Sequence, residues 1–222
     1  MSMTLTTKQP LILLGAGGHA KVLLSLAQAN GLIVLGVCDP DLPQQGTKQW
    51  RGIPVLGDEA VLDDINPDKV GLINGVGQLV GSSSRKRLFE KYRAKGFHFP
   101  VLIHPAAWVD SSAQLGEGVQ IMAGAIVQPY CRIGENTIIN TCASVDHDSV
   151  VEAHVHIAPR ATLCGTVYVH AQTYIGSGST IIQNITVGEQ AVVGAGATLV
   201  RDLADRQTLI GSPARNITKQ ST

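Results

Sequence analysis

From Val109 onward every sixth residue is aliphatic: Val109, Leu115, Ile121, Val127, Ile133, Ile139, Val145, Val151, Ile157, Leu163, Val169, Ile175, Ile181, Val187, Val193 and Leu199. The run holds for sixteen consecutive positions, all Val, Ile or Leu. Two residues before each stands a mostly small one, as at Ala113, Ala125, Cys131, Ala143, Ser149, Ala161, Ala191 and Ala197. Self-similarity at a short fixed interval is the signature of a repeat. Each hexad reads as a short strand plus a tight turn, and three hexads close one triangular coil of 18 residues. The aliphatic side chain fills the prism, and the small one fits the crowded space beside a corner. Successive coils pair as parallel strands about 4.8 Å apart. Sixteen hexads then make five coils and a third, a parallel β-helix roughly 25 Å long. The glycines just after the aliphatic residue, at 116, 134, 176, 188 and 194, are expected to supply turn conformations that other residues resist.

The first hundred residues follow another pattern. "PLILLGAGGHAKVLLSLAQANGLIVLGVCDPD" predicts an apolar strand (11–14), a glycine turn (15–18), a helix (19–29) and a second strand (32–37) ending at Asp39. "KVGLING" (69–75) is a further buried strand, and 82–95 a further helix. Strands separated by helices imply a parallel sheet with helices packed on it. The expected organisation is an α/β, Rossmann-like domain over residues 1–104 and a β-helix with a C-terminal tail over 105–222.

Composition sharpens this picture. The chain is 44% hydrophobic but only 4% aromatic and 15% charged, against about 25% charged for soluble domains. Small aliphatic side chains in many equivalent positions account for that. Lys+Arg and Asp+Glu are both 17, so no global field draws the chain to nucleic acid or an anionic membrane. The basic run "RKRLFEKYRAK" (85–95) has helical spacing and reads as a solvated helix face. Cys38, Cys131, Cys142 and Cys164 form no CxxC pair and no metal-ligand spacing, so no metal site is expected. With no charged-then-apolar leader, this favours a reducing cytoplasm. No apolar stretch approaches the roughly 20 residues that cross a bilayer.

The candidate chemistry begins at "SVDHDSVV" (144–151). Val145 points inward, so His147, two residues on, stands at the turn and points outward. One coil earlier is Pro129 and one coil later Gly165, and the glycine is expected to leave open space beside the imidazole. Asp146 and Asp148 flank the ring. A carboxylate that accepts a hydrogen bond from one ring nitrogen sets the tautomer and leaves the other nitrogen as a base. The competing reading is an exposed turn histidine whose aspartates add solubility. His156 precedes inward Ile157 and is expected to face outward on another side of the prism, too far round to share a site with His147 in one chain. His154 and His170 receive no role, and His98 and His104 read as structural. In the other half, "LILLGAGGHAKVL" follows a strand and opens a helix. Gly15, Ala16, Gly17, Gly18 and His19 would let a phosphate approach the backbone at the helix N-terminus. Asp39 and Asn74 end strands at the same edge. Asp39 could bond a base or ribose, although a strand-end aspartate is an ordinary cap at least as often.

The hexad run, the tail "GSPAR" (211–215) and the "GAGGHAKV" N-terminal motif together resemble the left-handed β-helix acyltransferases. Within these, the closest resemblance is to the bacterial nucleotide-sugar N-acetyltransferases of the bacillosamine type and the related sialic acid O-acetyltransferases. The resemblance spans nearly the whole chain. It implies a left-handed coil, an exception to the right-handed crossover rule, and a homotrimer with acetyl-CoA bound between subunits. It implies that His147 is the general base and Asp148 its orienting partner, although several relatives have Glu where this chain has Asp148. His156, Gly165, Ala195 and Asn140 become expected contacts to acetyl-CoA, and the glycine turn with Asp39 and Asn74 the expected site of a UDP- or dTDP-linked amino sugar. The activity implied is acetyl transfer to a sugar 4-amino group. Acetylation of a sugar hydroxyl is the nearest alternative. A non-catalytic nucleotide-binding trimer and an NAD-linked oxidoreductase are more distant ones, and the latter leaves the β-helix unexplained.

Overall fold

The computed structural model describes residues 9–211 and the backbone of 215–216. Most of the "GSPAR" motif therefore lies outside the described residues. The chain divides into two compact units, which part between Leu102 and Ile103.

In the N-terminal unit the chain runs β1 (Leu11–Leu14), α1 (Gly18–Ala29), β2 (Val34–Cys38), α2 (Asp41–Gln44), β3 (Gln49–Trp50), β4 (Ile53–Gly57), β5 (Gly71–Asn74) and α3 (Ser84–Ala94). The sheet order is β3-β4-β2-β1-β5. Its pairings are parallel except for β3 with β4. All four residues of β1 are buried, as expected of a strand covered on both faces. On one side Ile12 and Leu14 meet Phe89, Tyr92 and Phe99 in a single cluster. Helix α1 buries Ala20, Leu23, Leu24, Leu26 and Ala27. The hairpin β3–β4 was not foreseen. Its two-residue loop is Arg51-Gly52, at φ 50° and 84°, the positive values that a tight type I′ turn requires. Leu88, Phe89 and Tyr92 lie on the buried face of α3, and so does Arg85. The basic run is therefore not simply a solvated face. The Arg85 guanidinium bonds the carbonyls of Asn74 and Val76, both at 2.9 Å, and burial pulls its pKa down to about 9.

In the second unit each strand of the repeat is two residues long and ends on the aliphatic residue of its hexad, from Trp108–Val109 to Thr198–Leu199. The strands form three parallel sheets whose register advances one coil at a time. Val109, Val127, Val145, Leu163, Ile181 and Leu199 are successive partners in one sheet. From Ile121 to Val193 the inward aliphatics are buried, while Val109 and Leu115 in the first coil are only partly so. The final coil is shorter, because Val193 pairs with Leu209 and Val187 with Leu203.

The turns depart from the expectation. The left-handed backbone falls three residues after the aliphatic position. It is taken by Tyr130, Asn136, Cys142, Asp148, His154, Arg160, Thr166 and Gln172, as well as by Gly118, Gly124, Gly178 and Gly196. Their N–H groups donate back to the preceding coil, as Asp148 does to Pro129 O at 3.1 Å and Thr166 to His147 O at 2.9 Å. These bonds offset the steric cost of a left-handed residue that carries a Cβ. Glycines 116, 134, 176, 188 and 194 do not have positive φ. They are small because the next coil passes against them. A Cβ on Gly134 would stand 2.5 Å from both Ala153 N and Glu152 C. Gly134→Ala is expected to lower stability by about 1–3 kcal/mol through this overpacking, read as a lower melting temperature with an unchanged backbone fold.

Candidate active site

The β-helix places His147 at the corner that follows the Ser144–Val145 strand. Its side chain is 56% exposed, as the inward phase of Val145 requires. Nδ1 lies 2.8 Å from Asp148 Oδ2. Asp146 does a different job, accepting the His147 backbone N–H on Oδ1 at 2.8 Å. One aspartate thus holds the ring and the other holds the turn. The hydrogen bond to Asp148 raises the His147 pKa above its ordinary value; desolvation works against it, and the Asp146 and Asp148 charges add to it. A base acts in its neutral form, so the acid limb of its pH–rate profile should fall above the usual histidine range. Asp148→Asn should move that limb to lower pH and lower turnover roughly tenfold. A profile of kcat/KM against pH checks both.

Gly165 does not leave empty space beside the ring. A Cβ there would stand 2.7 Å from both Cε1 and Nε2 of His147. The imidazole itself lies over this glycine, so Nε2 is presented beside Gly165 while Nδ1 is held by Asp148. The Gly165 N–H has no acceptor among the described residues. At the same turn phase, outward N–H groups are met by side chains: Thr141 by Asn140 and Ala171 by Glu152. An unclaimed N–H on the glycine beneath the ring is a candidate to stabilise developing negative charge on an oxygen placed there.

The other expected donor contacts are elsewhere. His156 is on a different sheet and, although Ile157 does point inward, its side chain is buried rather than projecting. Asn140 covers it, with Nδ2 at 3.0 Å from Nε2, and the Tyr174 ring meets it edge-on at 5.0 Å. The Asn140 carbonyl oxygen accepts from Thr141 N at 2.8 Å, so its amide group faces His156 and donates to it. Asn140 and His156 therefore form one group, apart from His147, Asp148 and Gly165. Ala195 is exposed at the corner that carries Asn140, three coils on. Among the histidines given no role, His154 is buried against Asn136. His170 joins Glu152 and Tyr168: Tyr168 donates to Glu152 Oε1 at 2.7 Å, and His170 Nδ1 is 3.4 Å from Oε2. Glu152 and His170 are 18 residues apart, so the repeat register would have paired them.

In the N-terminal unit, Gly15 turns at φ 86°, and the chain enters α1 at Gly17 with no side-chain cap. Nothing lies within 4 Å of where a Cβ on Gly17 or Gly18 would be. The side of the loop above Gly17 and Gly18 is thus open, and the first turn of α1 carries no acidic residue. Asp39 pins this loop. One carboxylate oxygen accepts from Ala16 N at 2.8 Å and the other from Asp41 N at 3.0 Å, the capping alternative. Gly77 passes His19 closely enough that a Cβ would be 3.3 Å from His19 Cβ. Asn74 does not reach the open side of the loop. Its side chain is buried, donating to Arg85 O at 3.0 Å and accepting from Val76 N at 3.3 Å. It locks the end of β5.

Residues 10–92 match the PglD N-terminal domain family, and residues 112–147 match the bacterial transferase hexapeptide family. The acetyltransferase domain of PglB from Neisseria gonorrhoeae is 37% identical, over 94% of this chain and 100% of that one, with a TM-score of 0.86. PerB from Caulobacter crescentus, solved with CoA and GDP-perosamine, is 36% identical over 95% and 98%, with a TM-score of 0.87. Two histidine mutants of that perosamine N-acetyltransferase were also solved with both ligands. The UDP-N-acetylbacillosamine N-acetyltransferase of Bacillus subtilis is 40% identical over 115 residues, half of this chain and half of that relative's length. With its repeat, its glycine turn and these near full-length likenesses, the chain belongs to the left-handed β-helix, hexapeptide-repeat nucleotide-sugar N-acetyltransferases.

Proposed function

We propose that the chain transfers an acetyl group from acetyl-CoA to the 4-amino group of a nucleotide-linked amino-deoxysugar. His147 Nε2 removes a proton as the amine nitrogen attacks the thioester carbonyl. The C–N bond forms, the C–S bond breaks, and the proton passes from the imidazole to the departing CoA sulfur. Asp148 keeps Nδ1 protonated, and the Gly165 N–H takes the charge that develops on the carbonyl oxygen. The observation that carries this reading is the exposed imidazole held by Asp148 at 2.8 Å with Nε2 against Gly165.

The glycine turn and the uncapped start of α1 hold the sugar nucleotide's diphosphate, with Asp39 as the residue that shapes the loop. Asn140, His156 and Ala195 serve the acetyl donor from a neighbouring copy in a homotrimer, since they lie on other sides of the prism from His147. Support comes from the relatives, whose names specify N-acetylation of UDP- and GDP-linked sugars. Among the described residues no helix is long and apolar enough to cross a membrane; the cytoplasm is the proposed location.

Release of CoA, followed with a thiol-reactive dye over UDP-, dTDP- and GDP-linked 4-amino sugars and sialic acid, tests the proposal. CoA release with an amino-sugar nucleotide, and a product one acetyl group heavier by mass spectrometry, is the expected result. Transfer to sialic acid alone would move the reading to O-acetylation, and no release with any acceptor would overturn it.

A further inference from the structure

Helix α3 directs a buried arginine at the loop that follows β5. Arg85 is 1% exposed, and its guanidinium donates to Asn74 O and Val76 O, both at 2.9 Å. The Asn74 side chain completes the lock, donating to Arg85 O at 3.0 Å and accepting from Val76 N at 3.3 Å. A guanidinium is costly to bury. Leu88, Phe89 and Tyr92 already pack α3, so an apolar side chain would serve packing alone. What the arginine adds is control over the direction of two peptide groups.

The sheet topology sets this loop against the glycine turn. In the order β3-β4-β2-β1-β5, β2 and β5 flank β1 on opposite sides, so the strand order reverses at β1. Ligands of open parallel sheets bind outside the carboxyl ends of the strands at such a switch point. Leu14 and Asn74, the last residues of β1 and β5, pair with each other, and the segments that follow them touch. A Cβ on Gly15 would stand 3.4 Å from Val76 Cγ2, and one on Gly77 would stand 3.3 Å from His19 Cβ.

The direction of one peptide then matters. In a trans peptide the C=O and N–H point in opposite directions. Arg85 draws the Val76 carbonyl inward, so the Gly77 N–H of the same peptide is directed away from the interior, beside His19. That N–H has no acceptor among the described residues. With the peptide reversed, a carbonyl oxygen would face the crevice and repel an anion.

We propose that Arg85 is a positioning residue of the sugar-nucleotide site. By holding the Val76 carbonyl inward it presents the Gly77 N–H to the diphosphate, across the crevice from the start of α1. This rests on the reading of the glycine turn as the diphosphate site. The test uses full-length wild type, Arg85→Met and Arg85→Lys, titrated calorimetrically with UDP, dTDP and GDP. Steady-state kinetics, melting curves and a crystal structure of the wild type with the tightest-binding diphosphate accompany the titrations. In the crystal a phosphate oxygen should lie within hydrogen-bond distance of Gly77 N. Arg85→Met should bind that diphosphate about tenfold more weakly, the usual worth of one hydrogen bond to a charged group. Its KM for the amino-sugar nucleotide should rise by the same factor, while kcat at saturating acceptor and the KM for acetyl-CoA stay within twofold. A smaller folded fraction lowers kcat and leaves KM unchanged, so this split separates positioning from stability. Arg85→Lys keeps a donor and should fall between the two.

A diphosphate affinity in Arg85→Met within twofold of wild type overturns the proposal. Should Arg85→Met not fold, the wild-type complex decides alone. A diphosphate seated on the glycine turn with Gly77 N unengaged removes this assignment and leaves the diphosphate site standing. A diphosphate bound elsewhere, or a wild type that binds none of the three, removes both.

Discussion

His147→Ala is expected to lower kcat by roughly 10²–10⁴-fold, the usual worth of a positioned general base. The side chain is exposed, and among the described residues its ring bonds only the neighbouring Asp148. Its loss therefore opens no cavity, and the prism beneath, closed by Val145 and Leu163, is untouched. Melting temperature and oligomeric state should match wild type, and affinity for the sugar nucleotide should stay within a few-fold. Steady-state turnover, with calorimetric titration of the acceptor, separates these quantities. A loss smaller than tenfold would remove His147 from proton transfer, leaving the corner with a binding role only.

Gly165→Ala is the second large effect. The added methyl would stand 2.7 Å from both Cε1 and Nε2 of the imidazole, closer than real Cβ contacts occur, so the ring must move. It cannot move without stretching the 2.8 Å bond to Asp148 or swinging Nε2 away from the neighbouring N–H. A misplacement of about 1 Å can cost 10²-fold in rate, and turnover should fall by about that factor. The backbone accepts the change, because Gly165 is not among the residues with positive φ and its N–H is retained. The variant should therefore fold and melt within a few degrees of wild type, with the KM for acetyl-CoA little altered. Wild-type turnover in Gly165→Ala would show that the imidazole tolerates another position and that its place over the glycine is incidental. Together the two variants separate the chemistry of the ring from its placement.

The β-helix was legible because its physics repeats. Each inward position must be aliphatic for the same reason as the one 18 residues away, so the pattern from Ile121 to Val193 could be read position by position. The outward direction of His147 followed from the same phase. The turn glycines were misread because two demands, positive φ and close approach, both select glycine. Only the coordinates separate Gly134, pressed by Ala153 N, from Gly124 at φ 69°. The N-terminal unit was legible in β1, α1, β2 and β5 from their apolar residues and in α3 from its helical spacing. The β3–β4 hairpin has two-residue and five-residue strands with Pro54 in the second, too little alternation to be seen.

By itself the sequence determined the coil, its register and the corner on which the imidazole stands, because a periodic core imposes one side-chain direction at each phase. It also determined that glycines lead from β1 into α1. Tertiary structure decided which aspartate holds the ring, that Gly165 carries the imidazole rather than leaving room beside it, and that Asn74 and His156 are covered by their neighbours. The first is a matter of side-chain direction between chain neighbours; the others are distances between residues apart along the chain, set by packing across adjacent coils and strands, and no local pattern of polar and apolar residues encodes them.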